Sequence, residues 1–144
     1  MFSKACEYGI RAIIYIASQS VDGSRVKIAE VVENIKSPEA FTAKILGALV
    51  RNGIVQSATG PYGGFYIDTK KRTAIRMSDI VFAIDGDSIY NGCGLGLSEC
   101  DSEKPCPMHH KFVQIRADLK NMLNNTTIED LAAGLKSGKT MLMR

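Results

Sequence analysis

Six residues, Thr59-Gly60-Pro61-Tyr62-Gly63-Gly64, separate two short segments of β-forming composition, Ile54–Ala58 and Phe65–Asp68. Glycine and proline are the strongest local punctuation a chain carries, and such a run between apolar segments predicts a β-hairpin. The hairpin constrains the fold because three helical patterns precede it. Ser3 to about Gln19 places Cys6, Ile10, Ile13 and Ala17 on one helical face, with Ser3 as N-cap. After the turn Val21-Asp22-Gly23-Ser24, a second helix is predicted over Val26–Asn34, with Ile28, Val31, Val32 and Ile35 apolar. Lys36-Ser37-Pro38 then restarts the chain, Ser37 suiting an N-cap and Pro38 the first helical position. The third helix runs to about Asn52 with Phe41, Ile45, Leu46, Leu49 and Val50 inward, and Gly53 ends it in the left-handed region.

Beyond the hairpin lies a basic run, Lys70-Lys71-Arg72, and a fourth helix predicted over Met77–Asp85 with Ser78 as cap. Gly86–Pro107 has no periodicity and reads as a loop. From His110 to Asn124 the chain is helical again, and Met108, Phe112, Ile115, Leu119 and Met122 alternate steps of four and three. That spacing makes a coiled-coil-like seam, which a second copy of the chain can cover. Thr126-x-x-Glu129 reads as a capping box opening a last helix through Leu135. The expected fold is mainly α with a small β-hairpin wing, a winged helix-turn-helix plus a long C-terminal dimerisation helix. Residues 1–76 form the DNA-binding region and residues 77–144 a cysteine-loop sensor and dimerisation region.

A chain of 144 residues, 45% of them hydrophobic, is long enough for one domain with a real core. No apolar run approaches the ~20 residues of a membrane span, and the N-terminus lacks the pattern of a signal peptide. A cytoplasmic location follows as the expectation, with thiols kept reduced. Residues 1–76 hold 11 Lys/Arg against 6 Asp/Glu, whereas residues 77–144 hold 7 against 9. The basic half points to a polyanion partner.

Three of the four cysteines, Cys93, Cys100 and Cys106, fall within the patternless loop, and His109 stands at C-x-x-H from Cys106. Soft thiolates with one imidazole are a ligand set for an iron–sulfur cluster or for zinc. Structural zinc competes, although its usual closely spaced cysteine pairs are absent. A disulfide switch among the three thiols is the other competitor. His109 can instead face solvent or cap the helix it opens, and His110 reads as its solvated neighbour. Cys6, on an apolar face, reads as a small buried hydrophobe. No Ser/His/Asp set, phosphate loop or framed carboxylate pair is present, so an enzyme is not expected.

Double-stranded DNA is the polyanion that a winged helix-turn-helix fits. The first turn of the third helix can enter the major groove, while the wing lies along a backbone or minor groove. Lys27, Lys36, Lys44, Arg51 and the Lys70–Arg72 run supply candidate phosphate contacts. A winged helix used only for protein contacts, or a zinc-stapled interaction module, is the alternative.

Three stretches carry a family resemblance. Cys6-Glu7-Tyr8-Gly9-Ile10-Arg11-Ala12, the pair Leu49–Ser57 and Gly60–Phe65, and the Cys93–Cys100–Cys106 loop together resemble the Rrf family of bacterial winged-helix transcription regulators. The resemblance implies a homodimer, a repressor-type regulator of an operator, and an iron–sulfur cluster, [2Fe–2S] favoured over [4Fe–4S]. IscR-like members complete the cluster with a histidine that matches His109, and NsrR-like members with a carboxylate that matches Glu7. An ion pair between Glu7 and Arg11 is the plain alternative for that carboxylate. The family also implies base or phosphate contacts from Ser37, Pro38, Glu39, Ala40, Phe41, Ala43 and Lys44 and from the wing, Thr59, Gly60, Pro61, Tyr62 and Gly63. Thr59 departs from the arginine usual before Gly-Pro, and Phe41 at helical spacing from Ile45 also reads as core. A cluster-free regulator sensing thiol state or a small ligand remains open.

Overall fold

Ser3 accepts a hydrogen bond from the Cys6 backbone N–H at 3.0 Å and so caps α1, Lys4–Gln19. In the computed structural model, which describes residues 1–144, this helix lies at the centre of the molecule. Helix α2 (Ile28–Ile35), α3 (Glu39–Arg51), α4 (Met77–Asp85) and, from the C-terminus, α7 (Ile128–Lys136) all pack on α1. Its burial therefore extends around most of its circumference, from Cys6 and Ala12 to Ile16 and Ala17. Ile13, Ile16, Leu46, Leu49, Ile80, Leu123 and Ile128 are fully buried. Each such side chain contributes about 1.5–3 kcal/mol relative to exposure.

The helix-turn-helix bends at Lys36, the one non-glycine residue with positive φ, at 50°. Pro38 is the N-cap of α3 rather than its first residue, and Ser37 does not cap the helix. Instead the Thr42 hydroxyl, buried within α3, lies 2.7 Å from the Ser37 hydroxyl and 2.8 Å from the Pro38 carbonyl. Phe41, expected inward, is 38% exposed and packs edge-to-face with Tyr8, ring centroids 5.8 Å apart. At the other end Gly53 adopts φ 73°, its N–H bonds the Val50 carbonyl, and the Ile54 N–H bonds the Leu49 carbonyl, both at 3.0 Å. These paired bonds satisfy carbonyls that would otherwise be orphaned at the helix end.

The wing is an antiparallel hairpin, β1 (Gln56–Ala58) with β2 (Gly64–Tyr66), in the register Gln56–Tyr66, Ser57–Phe65, Ala58–Gly64. Val26, predicted as the start of α2, instead exchanges two 2.8 Å backbone hydrogen bonds with Phe65 and extends the wing by a third short segment. Gly64 lies in that crossing at φ 143°, where a Cβ would stand 2.8 Å from the Val26 carbonyl oxygen. The backbones approach too closely there for any side chain.

The second half is stitched to the first. Thr126 and Ile128 bond the backbone of Met77 and Ile75 at 2.9 and 3.0 Å. Arg72, expected to be free for phosphate, is 5% exposed and bonds Glu129 of α7 at 2.6 Å and the Ala17 carbonyl at 2.8 Å. It is a strut between α1 and α7. Thr127, not Thr126, caps α7, accepting from the Asp130 N–H at 3.2 Å. Likewise Arg76, not Ser78, occupies the cap of α4, with Asp79 accepting from its N–H at 2.8 Å. The cysteine loop is not wholly irregular: a four-residue helix, α5 (Ser88–Asn91), opens it, and α6 (His109–Asn124) closes it. No helix is long and apolar enough to cross a membrane.

Candidate metal centre and nucleic-acid interface

Helix α6 organises the cysteine loop. His109, its first residue, is 7% exposed, and its Nδ1 lies 3.4 Å from Cys100 Sγ. His110 stacks edge-on against His109, 5.2 Å between centroids, with its own ring exposed. One turn along α6, Phe112 lies so close to Gly94 that a Cβ there would stand 2.5 Å from the ring. Another turn on, Arg116 donates to the Gly92 carbonyl at 2.7 Å and to Cys100 Sγ at 3.2 Å. Residues 109, 112 and 116 share a helical face, so one side of α6 grips the loop at both ends.

The other two thiols lie near one another. The backbone N–H groups of Leu95 and Leu97, and then the Cys106 thiol, hold the Cys93 thiol below its ordinary range. All three loop cysteines are free and partly exposed. Thiolate is the form that ligates metal, so donors aimed at sulfur favour the ligating state. The structure thus brings Cys100 into contact with His109 and sets Cys106 near enough to Cys93 to help lower its pKa. No three His, Cys, Asp or Glu side chains converge closely enough to hold a metal ion. The donor chemistry fits a thiophilic centre, whose assembly would require these donors to close on one another.

Glu7 is not gathered with the loop. It pairs with Lys4 at 3.2 Å on the surface of α1, and its expected partner Arg11 instead donates to the Ile35 carbonyl at 3.1 Å. The Arg11 guanidinium lies 4.9 Å from the Tyr8 ring centre, and Tyr8 meets Phe41 of α3. Cys6 is fully buried beside Asp85, which in turn accepts from the Ser3 N–H at 3.0 Å and from its hydroxyl. Asp85 ends α4 immediately before α5 and the loop, so the loop is anchored to the N-terminus of α1. This anchor escaped the sequence, where Ser3 and Asp85 are 82 residues apart with no pattern joining them.

Helix α3 and its cap expose Pro38, Glu39, Ala40, Phe41, Ala43, Lys44 and Arg51. Ser37 is half-buried against Thr42. The wing tip exposes Thr59, Gly60, Pro61 and, at 89%, Tyr62, whereas Gly63 is buried under the Ala58 carbonyl. Lys27 bonds the Gly60 carbonyl at 3.3 Å and links α2 to the wing. The seam of α6 is divided. Ile115 and Met122 are 59% and 53% exposed and Met108 is exposed, while Phe112 and Leu119 are half-buried. Phe112, Ile115, Leu119 and Met122 line an open apolar cavity of about 630 Å³ with Ile89 and Cys93.

Comparison with known proteins agrees with this architecture. A protein of Aquifex aeolicus named as an HTH-type transcriptional regulator is 31% identical over 133 residues, covering 91% of this chain and 90% of that one. The transcriptional regulator IscR of Yersinia pseudotuberculosis is 27% identical over 124 residues, 86% of this chain and 74% of its own. The fold matches that of CymR, described as the global cysteine regulator of B. subtilis, with a TM-score of 0.74 at 22% identity, over 92% of this chain and 96% of that one. The family model described as "Rrf2: Iron-dependent Transcriptional regulator" matches residues 2–134. With three helices, a wing and an exposed α3, the chain belongs to the Rrf2 family of winged-helix transcription regulators and is not an enzyme.

Proposed function

We propose that this chain acts as a homodimer whose operator affinity is set by an iron–sulfur cluster held by Cys93, Cys100, Cys106 and His109. The observation that carries the reading is the collection of all four donors on one loop and the first turn of one helix, with His109 3.4 Å from Cys100. The iron-dependent description of the family model and the similarity to a protein named IscR support it. Within a protomer His109 is the preferred fourth ligand over Glu7, which pairs with Lys4. [2Fe–2S] is preferred to [4Fe–4S], and zinc is the alternative metal. When bound, a cluster supplies a centre that exchanges electrons and is lost to oxidants, its one non-thiolate ligand being the weakest link.

Signal reaches DNA through contiguous contacts in this reading. The loop follows Asp85 and α5, Asp85 holds the first turn of α1, and Tyr8 of α1 touches Phe41 of α3. Lys44 and Arg51 with the wing tip are the proposed DNA-facing groups, with Lys27, Pro38, Glu39, Ala40, Phe41 and Ala43 beside them. Met108, Phe112, Ile115, Leu119 and Met122 are the proposed dimer seam.

Purification without air, followed by iron and acid-labile sulfide analysis and a salt-dependent DNA shift, tests the proposal. Cys100→Ala is expected to lower bound iron severalfold and to uncouple operator binding from oxidant; unchanged iron and unchanged regulation overturn it. A cluster-free thiol switch is the second reading, favoured by the lowered pKa of Cys93, to which the nearby Cys106 contributes. It requires wild-type protein without iron or sulfide and a Cys93–Cys106 disulfide, found by mass spectrometry, that changes DNA affinity.

A further inference from the structure

We infer that Arg116 is the positioning residue that shapes the thiolate loop for its metal centre, an inference that rests on the cluster reading above. Its guanidinium spans two points of the loop eight residues apart. Nη1 donates to the Gly92 carbonyl at 2.7 Å, and Nη2 donates to Cys100 Sγ at 3.2 Å. Gly92 adjoins Cys93, so one planar fork fixes the backbone of one candidate ligand and the sulfur of another. The loop between these anchors is exposed and holds Gly94 and Gly96, and nothing else in it supplies two such bonds from a helix. Arginine suits the role because its donors are held in fixed geometry and it stays charged at every physiological pH.

Phe112 and His109 complete the same face. Phe112 presses on Gly94 and His109 meets Cys100, but both of these are contacts at one end of the loop. Arg116 alone bridges both ends. It also places a positive charge and an N–H donor against the Cys100 sulfur. Donors to ligand sulfurs stabilise the more negative, reduced state of a cluster and raise its potential. Loss of Arg116 therefore has two consequences with separable signatures, loosening of the loop and a lowered potential.

The test uses the full-length chain with Arg116→Gln, which removes charge and fork, and Arg116→Lys, which keeps charge alone. In metal-free protein, peptide-level hydrogen exchange across residues 92–100 is expected to rise at least tenfold in Arg116→Gln and nearly as much in Arg116→Lys. Exchange in α1 and α3 is expected to stay unchanged, which separates a local clamp from general unfolding. In protein loaded with iron and sulfide, Arg116→Gln is expected to shift the cluster potential to more negative values and to speed cluster loss to a chelator severalfold. Arg116→Lys is expected to recover part of the potential but not the exchange protection. Loop exchange within twofold of wild type, or an unchanged potential, overturns the inference. If wild-type protein holds no cluster, the reading it rests on falls, while the exchange measurement still decides the clamp.

Discussion

The Cys6 thiol lies in the first turn of α1 with none of its surface exposed, and its pKa is pushed up to about 12 by burial and then by the Asp85 carboxylate. Cys93 bears the same chemistry in the opposite setting, held below the ordinary thiol range by backbone N–H groups. Alkylation of metal-free native protein with iodoacetamide at pH 8 is expected to label Cys93, Cys100 and Cys106 but not Cys6, as mass spectrometry of the digested protein would show. Labelling of Cys6 without denaturant would refute its burial. The sign of the pH effect on stability follows. Below the ordinary value of 9.0 the thiol is protonated in both states; above it the unfolded chain releases a proton that the folded chain keeps until about 12. Stability is thus full below pH ~9 and falls above it, at up to about 1.4 kcal/mol per pH unit. Cys6→Ala removes that alkaline slope in urea titrations. Arg72 and Lys71 are a further residue-level contrast. Arg72→Met leaves the Ala17 carbonyl without its buried donor and is expected to cost about 2–3 kcal/mol. Exposed Lys71→Ala changes stability by less than about 0.5 kcal/mol, and, as a proposed phosphate contact, lowers the salt slope of DNA binding by about one.

At the scale of elements, the helix termini show how a cap is chosen by tertiary contact. Thr126 and Thr127 both precede α7, and both have an acidic residue three positions on. The backbone pairing of residues 75–77 with 126–128 places Thr127 in extended conformation at φ −93°, ψ 159°, so it becomes the cap with Asp130 as its partner. Thr126 is turned back to bond the Met122 carbonyl at 2.7 Å. Thr127→Ala is expected to lower unfolding free energy by about 1 kcal/mol and Thr126→Ala by less than half of that. Equal effects, measured by urea denaturation, would place the cap elsewhere.

For the whole molecule the decisive feature is that four other helices pack on α1. It is the shared packing surface of α2, α3, α4 and α7, and its N-terminus is held by Asp85 at the entrance to the cysteine loop. A shift at the loop therefore has a direct mechanical route to α3. The apolar side of α6 is the surface this arrangement leaves uncovered. Ile115→Glu, at a position 59% exposed, is expected to leave the fold intact while converting the proposed dimer to a monomer in light scattering. The monomer is also expected to lose most of its operator affinity. A dimer that persists would reject this seam.

The sequence alone determined the order of every element except the short α5, because helical periods and the Gly-Pro-rich hairpin signal arise from interactions a few residues apart. The Gly53 helix stop and the wing were legible for that reason, as were the burial of Cys6 and the position of the cysteine loop between α4 and α6. Family membership was legible through the same local stretches. Tertiary structure decided whatever depends on partners distant in sequence. Phe41 reads as core by spacing but is left exposed at the edge of Tyr8. Arg72 reads as a solvated cation but is drawn inward by Glu129 and the Ala17 carbonyl. Val26 reads as helix but is taken by the wing. The candidate site divides the same way: its possible donors were visible as residue types at a spacing, whereas the contact of Cys100 with His109 and the Arg116 fork exist only because α6 folds back along the loop. A side chain's period reports which face it occupies, and only the packed neighbour on that face decides what the face is used for.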